Sequence, residues 1–86
     1  MAEFERVKHL EKAFNEMHRL SPEVSVKHIN GNHYQVKLKH QGREVVLTEK
    51  MKDGLTDEAT LEFGGVIKSF KSYYDAEQAA SAILKG

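Results

Sequence analysis

The chain lacks cysteine altogether, although its 86 residues make a domain of the size that often depends on disulfide bonds when it is secreted. Neither a disulfide framework nor a thiolate metal site can therefore form. The chain also lacks any apolar run near the roughly 18 residues of a transmembrane helix, and its charged first residues are unlike a signal peptide. We expect a cytoplasmic protein that does not associate with membranes.

An excess of charge of one sign is missing too, because 13 basic and 13 acidic residues cancel to a net charge of zero. This balance disfavours a general nucleic-acid-binding protein, which needs a basic surface. The content of 40% apolar and 30% charged residues is that of a soluble folded chain rather than a disordered one. We expect residues 1–86 to form one small domain with a single core.

Motifs of catalysis and of cofactor binding are absent as well. The sequence has no phosphate-binding glycine loop, dinucleotide fingerprint or nucleophile elbow. Its five histidines have no metal-ligand spacing. The acidic residues between positions 53 and 62 lack the order of a calcium loop, so we interpret that stretch as a solvated loop. We predict a protein that is not an enzyme and that binds neither a metal nor a cofactor.

What the sequence does contain begins with an amphipathic helix over about residues 3–19. Apolar residues recur there at spacings of three and four, which is the pattern of one buried helix face. The pair Ser21 and Pro22 is expected to end this helix, because a residue before proline is pushed out of the helical region. The predicted buried stripe consists of Phe4, Val7, Leu10, Phe14 and Met17.

Residues 24–48 predict three consecutive antiparallel strands with a defined register. Apolar and polar residues alternate so that Val26 lies opposite Val36, which leaves residues 30–32 as a three-residue loop. Such a loop needs one left-handed residue, and both Gly and Asn reach that conformation at little cost. The predicted inner face of the sheet carries Val24, Val26, His28, Tyr34, Val36, Leu38, Val45 and Leu47.

The second predicted hairpin sets Leu38 opposite Val45, with Gln41 and Gly42 as a two-residue loop. The predicted fold class is α+β, with an N-terminal amphipathic helix, a three- or four-stranded antiparallel meander and a C-terminal helix. Both helices are expected on one face of the sheet, since its apolar side must be buried.

The C-terminal part of the chain allows two interpretations. The segment before Gly64 and Gly65 alternates like a short strand, and the two glycines indicate a bulge or a hinge. Residues 66–72 then fit a fourth strand, followed by a helix whose N-cap is Asp75, and this is the interpretation we prefer. The alternative is one long helix from Val66, since the apolar residues that follow also fit helical spacing.

The opposite, outer face of the predicted sheet is the candidate binding surface. Alternating lysines on an exposed strand usually serve solubility, and the aromatic residues that stack on bases are missing from this face. Ile29 and Val46 form a small apolar spot on this face that suits a protein partner, although an ordinary solvated face is the interpretation we prefer. The candidate binding residues are Lys27, His33, Gln35, Lys37, Lys39 and Val46.

From these observations we predict a small binding or regulatory module that acts through a protein partner, with a homodimer as one form of that partnership. Two alternatives stay open. One is a weak nucleic-acid-binding domain that contacts phosphates through Lys27, Lys37 and Lys39. The other is an accessory domain of an enzyme complex, without an active site of its own.

The predicted order of a helix, three strands and a helix resembles that of the double-stranded RNA-binding domain. That family has a lysine-rich loop at the start of its last helix. The matching segment here, residues 71–76, holds one lysine, Lys71, and an acid, Asp75. The resemblance is one of element order, so the chain is not assigned to that family.

Overall fold

The structure, a computed structural model, describes residues 2–53 and 55–86, with side chains from Glu5 onward, which leaves the predicted role of Phe4 outside the described part. Five described strands form one antiparallel sheet, in which they follow their order in the chain. The predicted α+β class is confirmed, with five strands rather than three or four. The elements are α1 (Ala2–His18), β1 (Glu23–Asn30), β2 (His33–His40), β3 (Arg43–Lys52), β4 (Leu55–Phe63), β5 (Val66–Phe70) and α2 (Tyr73–Lys85).

Helix α1 ends in a turn that closes on the helix itself. Arg19 takes a left-handed conformation with φ of 54°, and the N–H of Leu20 donates to the carbonyl oxygen of Phe14 at 3.1 Å. A left-handed residue directly after the last helical residue is a common helix ending, and here the N–H that follows it closes back on the last turns of the helix. The helix therefore ends before Ser21 and Pro22 are reached, through its own backbone geometry.

The buried stripe of α1 differs from the predicted one at its C-terminal end. Leu10 and Phe14 are buried in the core, as predicted. Met17 is 53% exposed, whereas His18 is 4% exposed and its ring centroid lies 5.0 Å from that of Phe14. Met17 and His18 follow Phe14 by three and four positions, so both adjoin it on the helix surface. Of the two, His18 lies on the buried face of α1 and Met17 on its exposed face.

The predicted register of the first three strands is confirmed in both hairpins. Val26 of β1 lies opposite Val36 of β2. Leu38 of β2 in turn lies opposite Val45 of β3. Because side chains alternate between the two faces of a strand, this register puts six apolar residues of the three strands on one face: Val24, Val26, Val36, Leu38, Val45 and Leu47.

The loop between β1 and β2 is shorter than predicted. Asn30 pairs with His33, so the loop consists of Gly31 and Asn32 rather than three residues. Ile29 is the extra residue of a bulge in β1, and neither loop residue has a positive φ. Because the bulge places the extra residue, Ile29, within β1, the loop has only two residues. It therefore does not need the left-handed residue that a three-residue loop requires.

Two other hairpin turns have two residues each, both with positive φ. Gln41 (50°) and Gly42 (81°) connect β2 to β3, as predicted. Gly64 (59°) and Gly65 (82°) connect β4 to β5, so their prediction as a bulge or hinge is wrong. Positive φ at both positions defines a type I′ turn, whose twist matches that of the flanking strands. The preferred interpretation of a strand followed by a helix is confirmed over the single long helix.

Strand β4 occupies the acidic stretch that the sequence analysis interpreted as a solvated loop. Ala59 and Leu61 are buried in the core, while the acidic Glu58 is exposed. The alternation is hard to recognise because few of the inward positions carry a large apolar residue. The predicted turn at Asp53 and Gly54 falls between β3 and β4, where Asp53 has φ of 53° and Gly54 lies outside the described residues.

Helix α2 begins after an N-cap that the sequence analysis placed incorrectly. Ser72 is the N-cap, and its side chain accepts a hydrogen bond from the backbone N–H of Asp75 at 3.1 Å. The residue is extended, as N-caps are, and it leaves Asp75 inside the first turn of the helix. The acid there still favours the helix, because it lies near the positive end of the helix dipole.

Both helices lie on the same face of the sheet, as predicted, but they do not cover all of it. Helix α1 lies over β1, whereas α2 lies over β3 and β4 and reaches β5 only at its margin. Strand β5 has no buried residue, and only Phe70 among its side chains is half-buried. The core between the layers consists of Leu10, Phe14, Leu20, Val36, Leu38, Val45, Leu47, Ala59, Leu61, Ala76, Ala80 and Leu84.

Replacing Val36 with aspartate is expected to unfold the domain. Val36 is fully buried, and an unpaired carboxylate there costs several kcal/mol, which approaches the total stability of a small domain. The matched control is Lys37→Asp, because Lys37 is the exposed neighbour on the same strand. Circular dichroism and urea denaturation should report an unfolded Val36→Asp variant and a folded control. A cooperative transition of Val36→Asp with an unchanged midpoint would contradict this placement.

Candidate functional site

The outer face of the sheet holds the candidate binding residues predicted from the sequence. The strand register puts Lys27 beside Gln35 and Lys37 beside Val46. The two lysines are exposed, whereas Gln35 and Val46 are half-buried between neighbouring strands. His33 and Lys39 share this face by the same alternation. The six residues therefore lie on one face, and their role in binding stays a prediction.

Acidic residues lie among the lysines of this outer face. Lys39 has Glu23 of β1 on one side and Glu44 of β3 on the other. Lys50 of β3 lies opposite Glu58 of β4. Opposite charges in adjacent strands attract each other and lower the positive potential of the surface. Of the three lysines of the nucleic-acid alternative, Lys39 therefore has acids on both sides, while Lys27 lies opposite Gln35 and Lys37 lies between Ser25 and Val46.

A second candidate is a polar cluster beneath the first turns of the two helices. Arg6 of α1 donates to Oε1 of Glu49 in β3, and Oε2 of Glu49 accepts from Oγ1 of Thr56 in β4 at 2.7 Å. The guanidinium carbon of Arg6 lies 4.7 Å from the ring centroid of Tyr34 and 5.7 Å from that of Tyr73. Two helices and three strands therefore meet around one arginine, which attracts the faces of both rings.

Glu77 of α2 adds a second carboxyl group to this polar cluster. Burial raises the pKa of Glu77 and the charge of Glu49 raises it further, while Arg6 acts in the opposite direction. Burial also raises the pKa of Tyr73, and the charge of Glu77 adds to that rise. The side chain of Glu49 is 6% exposed and that of Arg6 is 25% exposed. The positive charge of Arg6 therefore acts on two buried carboxyl groups, those of Glu49 and Glu77.

The polar cluster attaches both helices to the sheet. Nε of Arg6 and the hydroxyl of Tyr73 are buried without a hydrogen-bond partner among the described residues. In residues 2–53 and 55–86, no group of three or more histidine or acidic side chains could hold a metal ion. The sequence held a signal for this cluster, because Glu49 continues the inward alternation of Val45 and Leu47.

Two histidines depart from expectation. His28 was expected on the buried inner face, but it is exposed, and its ring stacks on Tyr34 with centroids 4.6 Å apart. It lies near the end of β1, which is an edge strand of the sheet. His18 was not expected to be buried, yet burial and the nearby charge of Lys85 lower the pKa of its imidazole.

The third candidate is an open groove beside β5, on the same face of the sheet as the helices. The groove has a volume of about 560 Å³, with a floor formed by β4 and β5 and a wall formed by α2. Phe63 and Val66 are 37% and 58% exposed, which leaves apolar surface open to solvent. The lining includes Leu61, Phe63, Val66 and Phe70 on the floor and Ala79 and Ala82 on the wall.

Lys68 is the one charged residue among those that line the groove. It lies opposite Leu61 in the sheet, which places it on the floor, and its side chain is exposed. An ammonium group beside apolar surface loses hydration when a partner covers it, so a carboxylate is the favoured group to face it. The groove therefore offers apolar surface to a partner and, at Lys68, favours a negatively charged group of that partner.

Comparison of the chain with protein families, with curated proteins and with solved structures finds no match. In the described part of the chain, no helix is long and apolar enough to cross a membrane. The functional argument therefore depends on the outer face, the polar cluster and the groove themselves. Of these three, the groove combines exposed apolar side chains with a concave shape, which are the usual marks of a binding surface.

Removing the arginine of the polar cluster is expected to destabilise the domain by about 3 kcal/mol, because Glu49 then stays buried without a counterion. The variants are Arg6→Met, Glu49→Leu and the double variant, with Lys12→Met as a control on the exposed face of α1. The double variant should recover most of the loss, since an apolar pair replaces the ion pair. Urea denaturation at pH 7 measures all four. Additive losses in the double variant would contradict the pairing.

Glu77→Gln is expected to change how stability depends on pH. The folded-state pKa of Glu77 is raised, so its contribution is fully present below the unfolded pKa of about 4.5 and is lost as pH rises through the folded pKa. The variant should therefore gain stability over the original chain as pH rises above about 4.5. The control is Glu62→Gln, an exposed glutamate on the outer face. Stability curves of Glu77→Gln and the original chain that run parallel from pH 4 to 8 would contradict the raised pKa.

Proposed function

We propose that this protein is a non-enzymatic, cytoplasmic binding module that holds an amphipathic helix of a protein partner in the groove beside β5. The observation that supports this proposal is the open apolar floor of the groove, where Val66 and Phe63 contact solvent although they lie on the core side of the sheet. If the partner is an enzyme, the module is an accessory domain that acts through the same groove.

The width of the layers supports a helix as the occupant. Strands lie about 4.8 Å apart, so five strands make a sheet about 24 Å wide. A helix with its side chains is about 10 Å across, so two helices cover about four strands. The groove is the remaining part of the helical layer, and a third helix placed beside α2 would complete it. Helices commonly bind such grooves through an apolar stripe at spacings of three and four.

The wall and floor of the groove define the partner's chemistry. Ala79 and Ala82 make a wall of small side chains, which lets a second helix approach α2 closely. Val66 and Phe70 provide the apolar contact, and Lys68 favours an acidic residue at the margin of the partner's apolar stripe. We therefore expect a helix with an apolar stripe and a glutamate or aspartate beside it.

Titration of the ¹⁵N-labelled protein with a designed peptide tests this proposal. The peptide is an 18-residue helix with leucines at spacings of three and four and one glutamate beside them, and a second peptide carries lysine instead of the glutamate. Chemical shift changes should concentrate on Val66, Lys68 and Ala82 at peptide concentrations up to about 1 mM. The glutamate peptide should bind more tightly, and Lys68→Glu should reverse that preference.

Two variants of α2 control this titration. Ala82→Arg places a large charge on the wall of the groove and should weaken binding of the peptide at least about tenfold, which is 1.4 kcal/mol. Gln78→Arg places the same charge outside the lining of the groove and should leave binding unchanged. The proposal is wrong if the shift changes lie on the outer face, around Lys27 and Lys37, or if neither peptide causes any change.

A further inference from the structure

The outer edge of β5 has backbone groups that pair with no other strand in the described residues. In a two-residue hairpin the residues that flank the turn, here Phe63 and Val66, share hydrogen bonds with each other. Backbone hydrogen bonds to β4 are then made by every second residue of β5, namely Val66, Lys68 and Phe70. The N–H and C=O groups of Ile67 and Ser69 therefore point away from β4, toward the free edge.

The two edge strands of the sheet differ in how they resist pairing. Each edge strand carries one exposed lysine, Lys27 in β1 and Lys68 in β5, but only β1 has a bulge, at Ile29, which discourages the addition of another strand. Strand β5 has no bulge in its pairing with β4, and it exposes Ile67 (65%) and Val66 (58%). An exposed apolar edge of this kind is a pairing site.

We infer that β5 pairs with β5 of a second copy of this chain, antiparallel across a two-fold axis at Ile67. The two copies then share one ten-stranded sheet. A net charge of zero lets the copies approach without overall repulsion. This inference goes beyond the proposed function, because the pairing uses the backbone edge of β5, whereas the proposed function uses the apolar groove between β5 and α2.

Lys68 determines the position of the two-fold axis. An axis at Lys68 would align the whole strand but set the two ammonium groups directly opposite each other, which is destabilising. An axis at Ser69 would bring Val66 opposite Ser72, the N-cap from which α2 departs from the sheet. An axis at Ile67 sets the two isoleucines together and places Val66 opposite Lys68, whose alkyl chain packs against it.

The short overlap makes this a weak dimer. Even an interface of a tenth of the 5682 Å² surface of each copy would bury only about 1,100 Å² in total, near the lower limit for specific complexes. We expect a dissociation constant of roughly 10 to 100 µM. The chain should therefore be a monomer at about 1 µM and a dimer at about 1 mM.

Sedimentation velocity across that concentration range tests the dimer, with one isoleucine at each edge of the sheet as a matched pair of variants. Ile67→Lys places like charges at the two-fold axis and should raise the dissociation constant at least tenfold. Ile29→Lys makes the same change at the β1 edge, where Ile29 is 45% exposed, and should not affect it. A monomer throughout the range, or a dimer lost in Ile29→Lys but kept in Ile67→Lys, would overturn the inference.

The absence of cysteine allows a second, independent readout. Directly opposite residues of a hydrogen-bonded antiparallel pair have Cα atoms about 5.5 Å apart, which lies in the range of disulfide bonds. Ile67→Cys should therefore form a disulfide-linked dimer rapidly under mild oxidation with oxidised glutathione. Ile29→Cys should form it far more slowly, and equal rates would contradict the pairing. Ile67→Lys should still bind the helical peptide, so failure of the dimer and failure of the groove are distinguishable.

Discussion

The mismatch between five strands and two helices is the constraint on which the rest of the molecule depends. A sheet needs its apolar face covered, and the two helices here are too narrow to cover the fifth strand. Strands β2, β3 and β4 supply the buried residues of the sheet, whereas β1 contributes the half-buried Val24 and Val26 and β5 only the half-buried Phe70. The exposed apolar surface of the protein is therefore a consequence of its architecture.

The polar cluster explains why the helices cannot shift to cover β5. Arg6 in the first turns of α1 is paired with Glu49 in the middle strand, and its guanidinium group lies against Tyr73 at the start of α2. Moving α2 toward β5 would separate Tyr73 and Glu77 from the arginine and leave Glu49 and Glu77 as neighbouring buried acids. Buried ion pairs contribute little net stability but are costly to break, so this cluster fixes the position of the helical layer.

Much of the fold could be predicted from the sequence, because its signals are local. The pairing of Val26 with Val36 follows from period-two alternation and from the turn-forming residues between the two strands, and the second hairpin follows in the same way. The end of β4 at Leu61 and Phe63 was predicted as a short strand, whereas its first part escaped prediction because exposed acids dominate it. The groove escaped as well, because Val66 resembles any apolar strand residue, and whether a helix covers it depends on the width of the layers rather than on its neighbours in the chain.

Amide hydrogen exchange along β5 tests most directly whether this strand is folded yet uncovered. At about 1 µM protein, the amides of Val66, Lys68 and Phe70 should be protected by β4, while those of Ile67 and Ser69 should exchange freely. At about 1 mM the last two should become protected as well, as the second copy pairs with the edge. Uniform protection of all five amides at 1 µM would mean that the edge is already covered. Uniformly fast exchange would mean that β5 does not pair with β4 and that the groove has no floor.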